Sequence, residues 1–146
     1  DRDITLTEID IENLIRAKGA IYSGCMTLLA EVGMGMQEIE RIILAGGFGS
    51  YVDLEKAMTI GLLPEIDPEK VTFIGNSSLM GAKMSSLTNR IRRDVGEVTR
   101  SMTSFELSET PSYMDNYIAA LFLPHTDLDQ FPRLKARLAN RSSKVN

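Results

Sequence analysis

Cysteine and histidine are nearly absent from this sequence, with one of each, Cys25 and His125, in 146 residues. A lone cysteine excludes a disulfide framework. One Cys and one His cannot close a zinc or iron–sulfur coordination sphere by themselves. Nor is there an apolar run of the roughly 18–20 residues needed to span a bilayer. Excess positive charge is missing too: 16 Lys+Arg against 20 Asp+Glu give a net charge of −4, which argues against general nucleic-acid binding. No internal repeat and no low-complexity segment occurs. The sequence lacks an initial Met and a secretory signal, and Arg141-Ser142-Ser143-Lys144-Val145-Asn146 reads as a linker. These points raise the expectation of an excised piece of a longer cytoplasmic protein, with a processed N-terminus as the alternative.

What is present is ordinary for a globular domain: 43% hydrophobic and 25% charged residues, enough for one core. Thr5-Leu6-Thr7-Glu8 has capping-box spacing. Beyond it Ile11, Leu14, Ile15, Ile21, Tyr22, Cys25, Leu28, Leu29 and Val32 recur at three- and four-residue steps, predicting a helix with one buried stripe. Gly33 and Gly35 close it. Arg41-Ile42-Ile43-Leu44-Ala45 reads as a buried strand running into Gly46-Gly47-Phe48-Gly49. A short helix is expected from Ser50 to Ile60 with Gly61 as its cap. Val71 to Ile74 is a second strand, and Gly75-Asn76-Ser77-Ser78 opens a long helix reaching about Met102, with Gly96 as the place for a kink. Ser104 to Leu107 is read as an edge strand, Thr110-Pro111 as a helix start, and Met114 to Phe122 as the last core element. From Asp129 onward there are five basic groups and one acidic. Residues 1–132 are therefore assigned to the domain and 133–146 to a basic tail or linker. The order strand, helix, strand, helix implies an α/β layered fold with too few strands for a complete large sheet.

The chemistry-bearing feature is the strand that ends in glycines. Bare backbone after a buried strand lets a planar or anionic ligand approach closely, and open α/β sheets bind ligands beyond the carboxyl ends of their strands. Parallel strands would bring the Gly46-Gly47 and Gly75-Asn76 turns to one rim as a nucleotide site. Two tight turns without a ligand would look the same in sequence. A dinucleotide fold fits poorly: Gly47-Phe48-Gly49-Ser50-Tyr51-Val52 has Val where the third glycine belongs, and Asp67 lies in a Pro-rich loop rather than at a strand end. No phosphate loop of the G-x-x-x-x-G-K-[ST] kind is present.

Four blocks in order, Ile15-Arg16-Ala17-Lys18-Gly19-Ala20-Ile21, Ile43-Leu44-Ala45-Gly46-Gly47-Phe48-Gly49-Ser50-Tyr51-Val52-Asp53, Ile60-Gly61-Leu62-Leu63-Pro64 and Ile74-Gly75-Asn76-Ser77-Ser78-Leu79-Met80-Gly81-Ala82, resemble the reductive activators of corrinoid proteins. The resemblance runs from about Ile4 to Pro132. It implies an α/β partial lobe of an actin-like (ribonuclease H-like) ATPase fold, from the superfamily of acetate and sugar kinases, Hsp70 and actin. It further implies ATP with Mg²⁺, shared with segments outside this sequence, and an iron–sulfur cluster in the parent protein only. Reduction of a Co(II) corrinoid protein to Co(I) is the implied activity. The implied partners are the corrinoid protein and its methyltransferase, with a homodimer left open and neither nucleic acid nor membrane. On that resemblance Gly46, Gly47, Phe48 and Gly49 lie under adenosine, Lys18 and then Tyr22 or Ser23 reach it from the first helix, and Asn76 and Ser77 support it. No residue here is assigned to catalysis or to a metal. Lys18 at the edge of an apolar stripe also fits a snorkelling lysine.

Other superfamily activities remain as alternatives: an activator of 2-hydroxyacyl-CoA dehydratases, a small-molecule kinase, or a non-catalytic domain that docks a corrinoid protein. Arg90, Arg92 and Arg93 are either a solvated helix face or a docking site for an acidic partner. Cys25 is expected to be an inert core thiol, and His125 a capping or solvated loop histidine. Met34 and Met36 are core filler or a soft contact surface.

Overall fold

The computed structural model describes residues 3–47 and 51–142. Helix α1 (Glu8–Glu31) is started by a capping box at Thr7 and Asp10, not at Thr5 and Glu8. Thr7 Oγ1 accepts from the Asp10 N–H at 3.3 Å, and Asp10 Oδ2 accepts from the Thr7 N–H at 2.9 Å. The shorter Asp side chain at the third helical position closes the same ring that the Thr5–Glu8 spacing suggested. Gly33, at φ +68°, ends the helix beyond Val32.

The buried face of α1 shares only Tyr22 with the apolar stripe. It consists of Lys18, Gly19, Tyr22, Ser23, Gly24 and Thr27, and it packs on helix α5 (Pro111–Ala120). Small residues let the two backbones come close: a Cβ on Gly19 would sit 3.3 Å from the Tyr117 ring and 3.5 Å from the Ala120 carbonyl. Asn116 Nδ2 donates to Thr27 Oγ1 at 3.1 Å. Ile11, Leu14, Ile21, Leu28 and Val32 are instead exposed. Periodicity located an apolar row correctly, but nothing among the described residues covers much of it.

Strands β1 (Ile42–Leu44) and β2 (Val71–Phe73) pair in parallel with Ile43 opposite Thr72. Helix α2 (Leu54–Thr59) links them and starts later than expected, because the Asp53 carboxylate caps it by accepting from the Lys56 N–H at 3.1 Å. Its end at Ile60 and Gly61 is as the sequence predicts. One core gathers Ala57, Met58, Leu63 and Ile66 against Ile42, Leu44 and Val71.

The long helix expected from Ser77 to Met102 is two helices, α3 (Ser77–Leu87) and α4 (Asn89–Ser101). The break falls at Thr88, whose extended backbone (φ −143°, ψ 139°) and hydroxyl cap α4 by accepting from the Ile91 N–H at 3.1 Å. A β-branched residue with a capping hydroxyl competes against helix continuation here, whereas Gly96 stays helical. The expected edge strand at Ser104–Leu107 is not one; the chain makes a single 3-10 turn at Leu107–Glu109.

After α5 the chain returns through Phe131, fully buried with Tyr22, Ala120 and Leu134 in a second core. The segment read as a basic tail forms helix α6 (Pro132–Ser142). Glu65 holds its start: the Arg133 and Leu134 N–H groups donate to the carboxylate at 2.7 and 3.0 Å. Arg137 reaches Glu55 at 2.7 Å. Arg137 thus pairs with an acid of α2, while Lys135 pairs with Asp129 in the turn before α6. The two cores meet where Gly61, at φ +74°, passes the Pro124 carbonyl so closely that a Cβ would overlap it.

The total accessible surface is 11188 Å² for 16.2 kDa, half as much again as the about 7,500 Å² of a monomer of that mass. The excess is apolar in part, with Ile43, Phe73, Leu79, Met84, Val95 and Val98 all exposed.

Candidate functional site

Strand β1 runs into Ala45-Gly46-Gly47. Gly46 takes φ +90°, a conformation that glycine adopts without steric cost. That turn aims its N–H at the Gly75 carbonyl, 2.7 Å away. Gly75, at φ +64°, leaves β2 in the same left-handed region. The Ile74 N–H donates to the Leu44 carbonyl at 3.0 Å. The two turns therefore leave one rim of the sheet side by side and are hydrogen-bonded to each other. Among the described residues, a Cβ built on Gly46, Gly47 or Gly75 would meet nothing within 4 Å, so none of them covers the backbone there. Asn76 caps α3 by accepting from the Leu79 N–H at 2.9 Å, and the Ser77 N–H donates to the Gly75 carbonyl at 3.0 Å.

The structure thus brings Gly46, Gly47, Asn76 and Ser77 together. Phe48 and Gly49 lie outside the described residues. Gly75, placed in the second turn by the sequence pattern, lies beside Gly46 at the same rim. What the arrangement offers is side-chain-free backbone beside the start of a helix of 11 residues. Flat groups can lie on the former, and the latter favours negative charge.

Lys18, Tyr22 and Ser23 are elsewhere. The Lys18 side chain is fully buried under the loop after α5, and its ammonium donates to the Phe122 and Pro124 carbonyls, the latter at 2.6 Å. Burial pushes the ammonium down to about 8. Tyr22 packs against both His125 and Phe131, with ring centroids at 5.3 and 5.5 Å. Burial above all, then the Asp127 charge, pushes its hydroxyl up to about 12. Ser23 Oγ donates to the Gly19 carbonyl of its own helix at 2.7 Å. Lys18 and Tyr22 fasten α1 to the end of α5 and the loop after it, and none of the three reaches within 4 Å of the Cβ positions of Gly46 or Gly47.

His125 is a loop residue whose Nδ1 accepts from the Asp127 N–H at 3.0 Å, and burial lowers its pKa first of all. Cys25 is half-buried with its thiol pushed up by burial, so it is a poor nucleophile. Among the described residues no group of three His, Cys, Asp or Glu side chains could hold a metal ion, and no helix is long and apolar enough to cross a membrane.

The family described as the C-terminal domain of RACo, the ASKHA domain, matches residues 1–135. The chain belongs to this family. Among curated relatives of this ASKHA domain, the corrinoid activation enzyme RamQ of Eubacterium limosum is 35% identical over 117 residues, which are 80% of this chain and 20% of that protein. The [Co(II) methylated amine-specific corrinoid protein] reductase of Methanosarcina barkeri is 35% identical over 104 residues, 71% of this chain and 19% of that protein. A solved reductive activator for corrinoid, iron–sulfur protein superposes with a TM-score of 0.85 at 49% identity, covering 90% of this chain and 21% of its own. The chain spans about a fifth of the length of these relatives. The α/β arrangement described above, mostly helical with a small parallel sheet, is the expected partial lobe of an actin-like fold.

Proposed function

We propose that this ASKHA domain works as part of an ATP-dependent reductive activator that returns a Co(II) corrinoid protein to Co(I), and that its share of the task is to seat the adenosine. The carrying observation is the pair of glycine turns at one sheet rim, joined at 2.7 Å between Gly46 and Gly75, with no described residue within 4 Å of a Cβ built on either. A purine laid on Gly46 and Gly47 gains flat contact with no side chain to displace. Asn76 and Ser77 hold the neighbouring turn and the start of α3 in place. Lys18 and Tyr22 act at one remove, by fixing α1 against the end of α5 and the loop after it. Adenine sites of this kind rest on apolar contact with few hydrogen bonds.

Mg²⁺ ligands and an iron–sulfur cluster do not fit the described residues, which offer one raised-pKa thiol and no acidic cluster. The metal, the phosphate contacts and the electron donor belong to the rest of the activator, in keeping with the length of the relatives. Co(II) takes one electron to become Co(I). Nucleotide binding drives the step through a domain movement that changes how well each redox state is held. The cytoplasm is the proposed compartment, and a corrinoid protein with its methyltransferase the proposed partners.

Calorimetric titration of the full-length activator with ATP tests this reading. Gly47→Val adds a side chain where nothing lies within 4 Å, so the fold is retained while ATP binding weakens by at least about tenfold, or 1.4 kcal/mol. Unchanged affinity in a folded variant removes the adenosine assignment.

A second role is carried by the α3–α4 hairpin. Neither helix buries a residue among those described, Val95, Val98 and Met102 line one exposed side of α4, and Arg90 is 84% exposed with only a 4.0 Å pair to Asp94. This basic, apolar arm suits docking of an acidic corrinoid protein.

A further inference from the structure

Helix α2 follows the first glycine turn, with only residues 48–53 between Gly47 and its start. A helix of 6 residues does not hold itself in water, so its neighbours decide where α2 sits. Ala57 and Met58 seat it in the core shared with Ile42, Leu44 and Val71. Towards α6 the packing is looser. A cavity of about 310 Å³, lined by Met58, Pro68 and Leu134, lies between the two helices. Apolar packing therefore does not fix the spacing of α2 and α6.

One side chain spans that gap. Arg137 Nη1 donates to Glu55 Oε1 at 2.7 Å, and Nη2 donates to Thr59 Oγ1 at 3.1 Å. Glu55 and Thr59 are four residues apart and share one face of α2. A flat guanidinium can hold both at once, which an ammonium cannot. Thr59 Oγ1 donates onward to the Glu55 carbonyl at 2.7 Å, so the two acceptors are tied to each other. The base of the bridge is firm as well. Leu134, one turn before Arg137, is buried, and the Glu65 carboxylate accepts from the first two N–H groups of α6. Glu55 lies in the first turn of α2, at the end nearer the glycines. The family match stops at residue 135, so this bridge is not among the features it supplies.

We propose that Arg137 is a positioning residue for the nucleotide. By holding Glu55 and Thr59 it fixes the first turn of α2, and through it the path on which the chain leaves Gly46 and Gly47. This rests on the reading that adenosine lies on those glycines. The side chains of the ion pair are 50% and 79% exposed, and exposed pairs contribute little to overall stability. Loss of the bridge therefore shows in nucleotide binding and not in unfolding.

The test is calorimetric titration of the full-length activator with ATP and with ADP, beside urea unfolding of each variant. Arg137→Ala should weaken both nucleotides by the same factor, about fivefold, with the unfolding midpoint unchanged. Glu55→Gln should weaken them less, and the Glu55→Gln, Arg137→Ala double variant should match Arg137→Ala alone, because the two residues act through one contact. Lys135→Ala removes an exposed pair to Asp129 near the start of the same helix and should leave both affinities unchanged. Affinities of Arg137→Ala within about twofold of the parent would overturn the proposal. So would a loss for ATP alone, which would place the effect at the phosphates, or an equal loss in Lys135→Ala, which would make it a general weakening of α6. Gly47→Val separates the two readings. If it weakens ATP binding while Arg137→Ala does not, the positioning role alone falls; if it leaves ATP binding unchanged, the adenosine assignment and the positioning role fall together.

Discussion

Gly61→Ala should be among the most damaging single changes in this chain. Gly61 has φ +74°, and a Cβ there would overlap the Pro124 carbonyl. A left-handed backbone costs a residue with a side chain roughly 1–2 kcal/mol. Displacing a packed backbone segment adds about 1–3 kcal/mol. The expected loss is about 3 kcal/mol. Gly33→Ala is the control, because Gly33 has φ +68° and nothing within 4 Å of its Cβ position. It carries the backbone cost alone, about 1 kcal/mol. Urea unfolding followed by far-UV circular dichroism measures both. Equal losses for the two variants would refute the reasoning, because they would show that the Gly61–Pro124 crossing does not join the two cores.

Burial of the Lys18 ammonium gives a pH signature. Its folded value of about 8 lies below the unfolded 10.5, so between them the unfolded chain binds more protons and stability rises with pH. From pH 7 to 9 the rise is roughly 1 kcal/mol, and Lys18→Met should flatten it in urea titrations at pH 7, 8 and 9. Thr88→Ala removes the cap between α3 and α4 and should cost about 1 kcal/mol; helix content after the change, measured by circular dichroism, shows whether α4 frays. Reversing charge at Arg90 and Arg93 to Glu should slow association with an acidic corrinoid protein several-fold at low salt and leave ATP binding unchanged, as stopped-flow mixing would reveal.

The strands and their glycine exits were plain in the sequence. A short β-branched run leading into glycines has few other readings, and the parallel pairing of β1 with β2 follows from the helix between them. Failures came where tertiary contacts override local pattern. Lys18 sits in an apolar row, and its covering partner, the loop after α5, lies more than a hundred residues away in sequence; periodicity cannot see it. The exposed row on α1 reads as core because it is built to be covered, and nothing in 146 residues announces what covers it. Thr88 outcompeted Gly96 as the helix break through a hydroxyl cap, a local signal that was legible but weighted below glycine. The basic stretch after Pro132 looked like a tail because Glu55 and Glu65, its partners, lie far upstream.

A structure of the full-length activator with ATP bound tests the central claim most directly. The account predicts adenosine in van der Waals contact with Gly46 and Gly47, beside the turn held by Asn76 and Ser77. Adenosine bound elsewhere, with the two glycines bare, would contradict it.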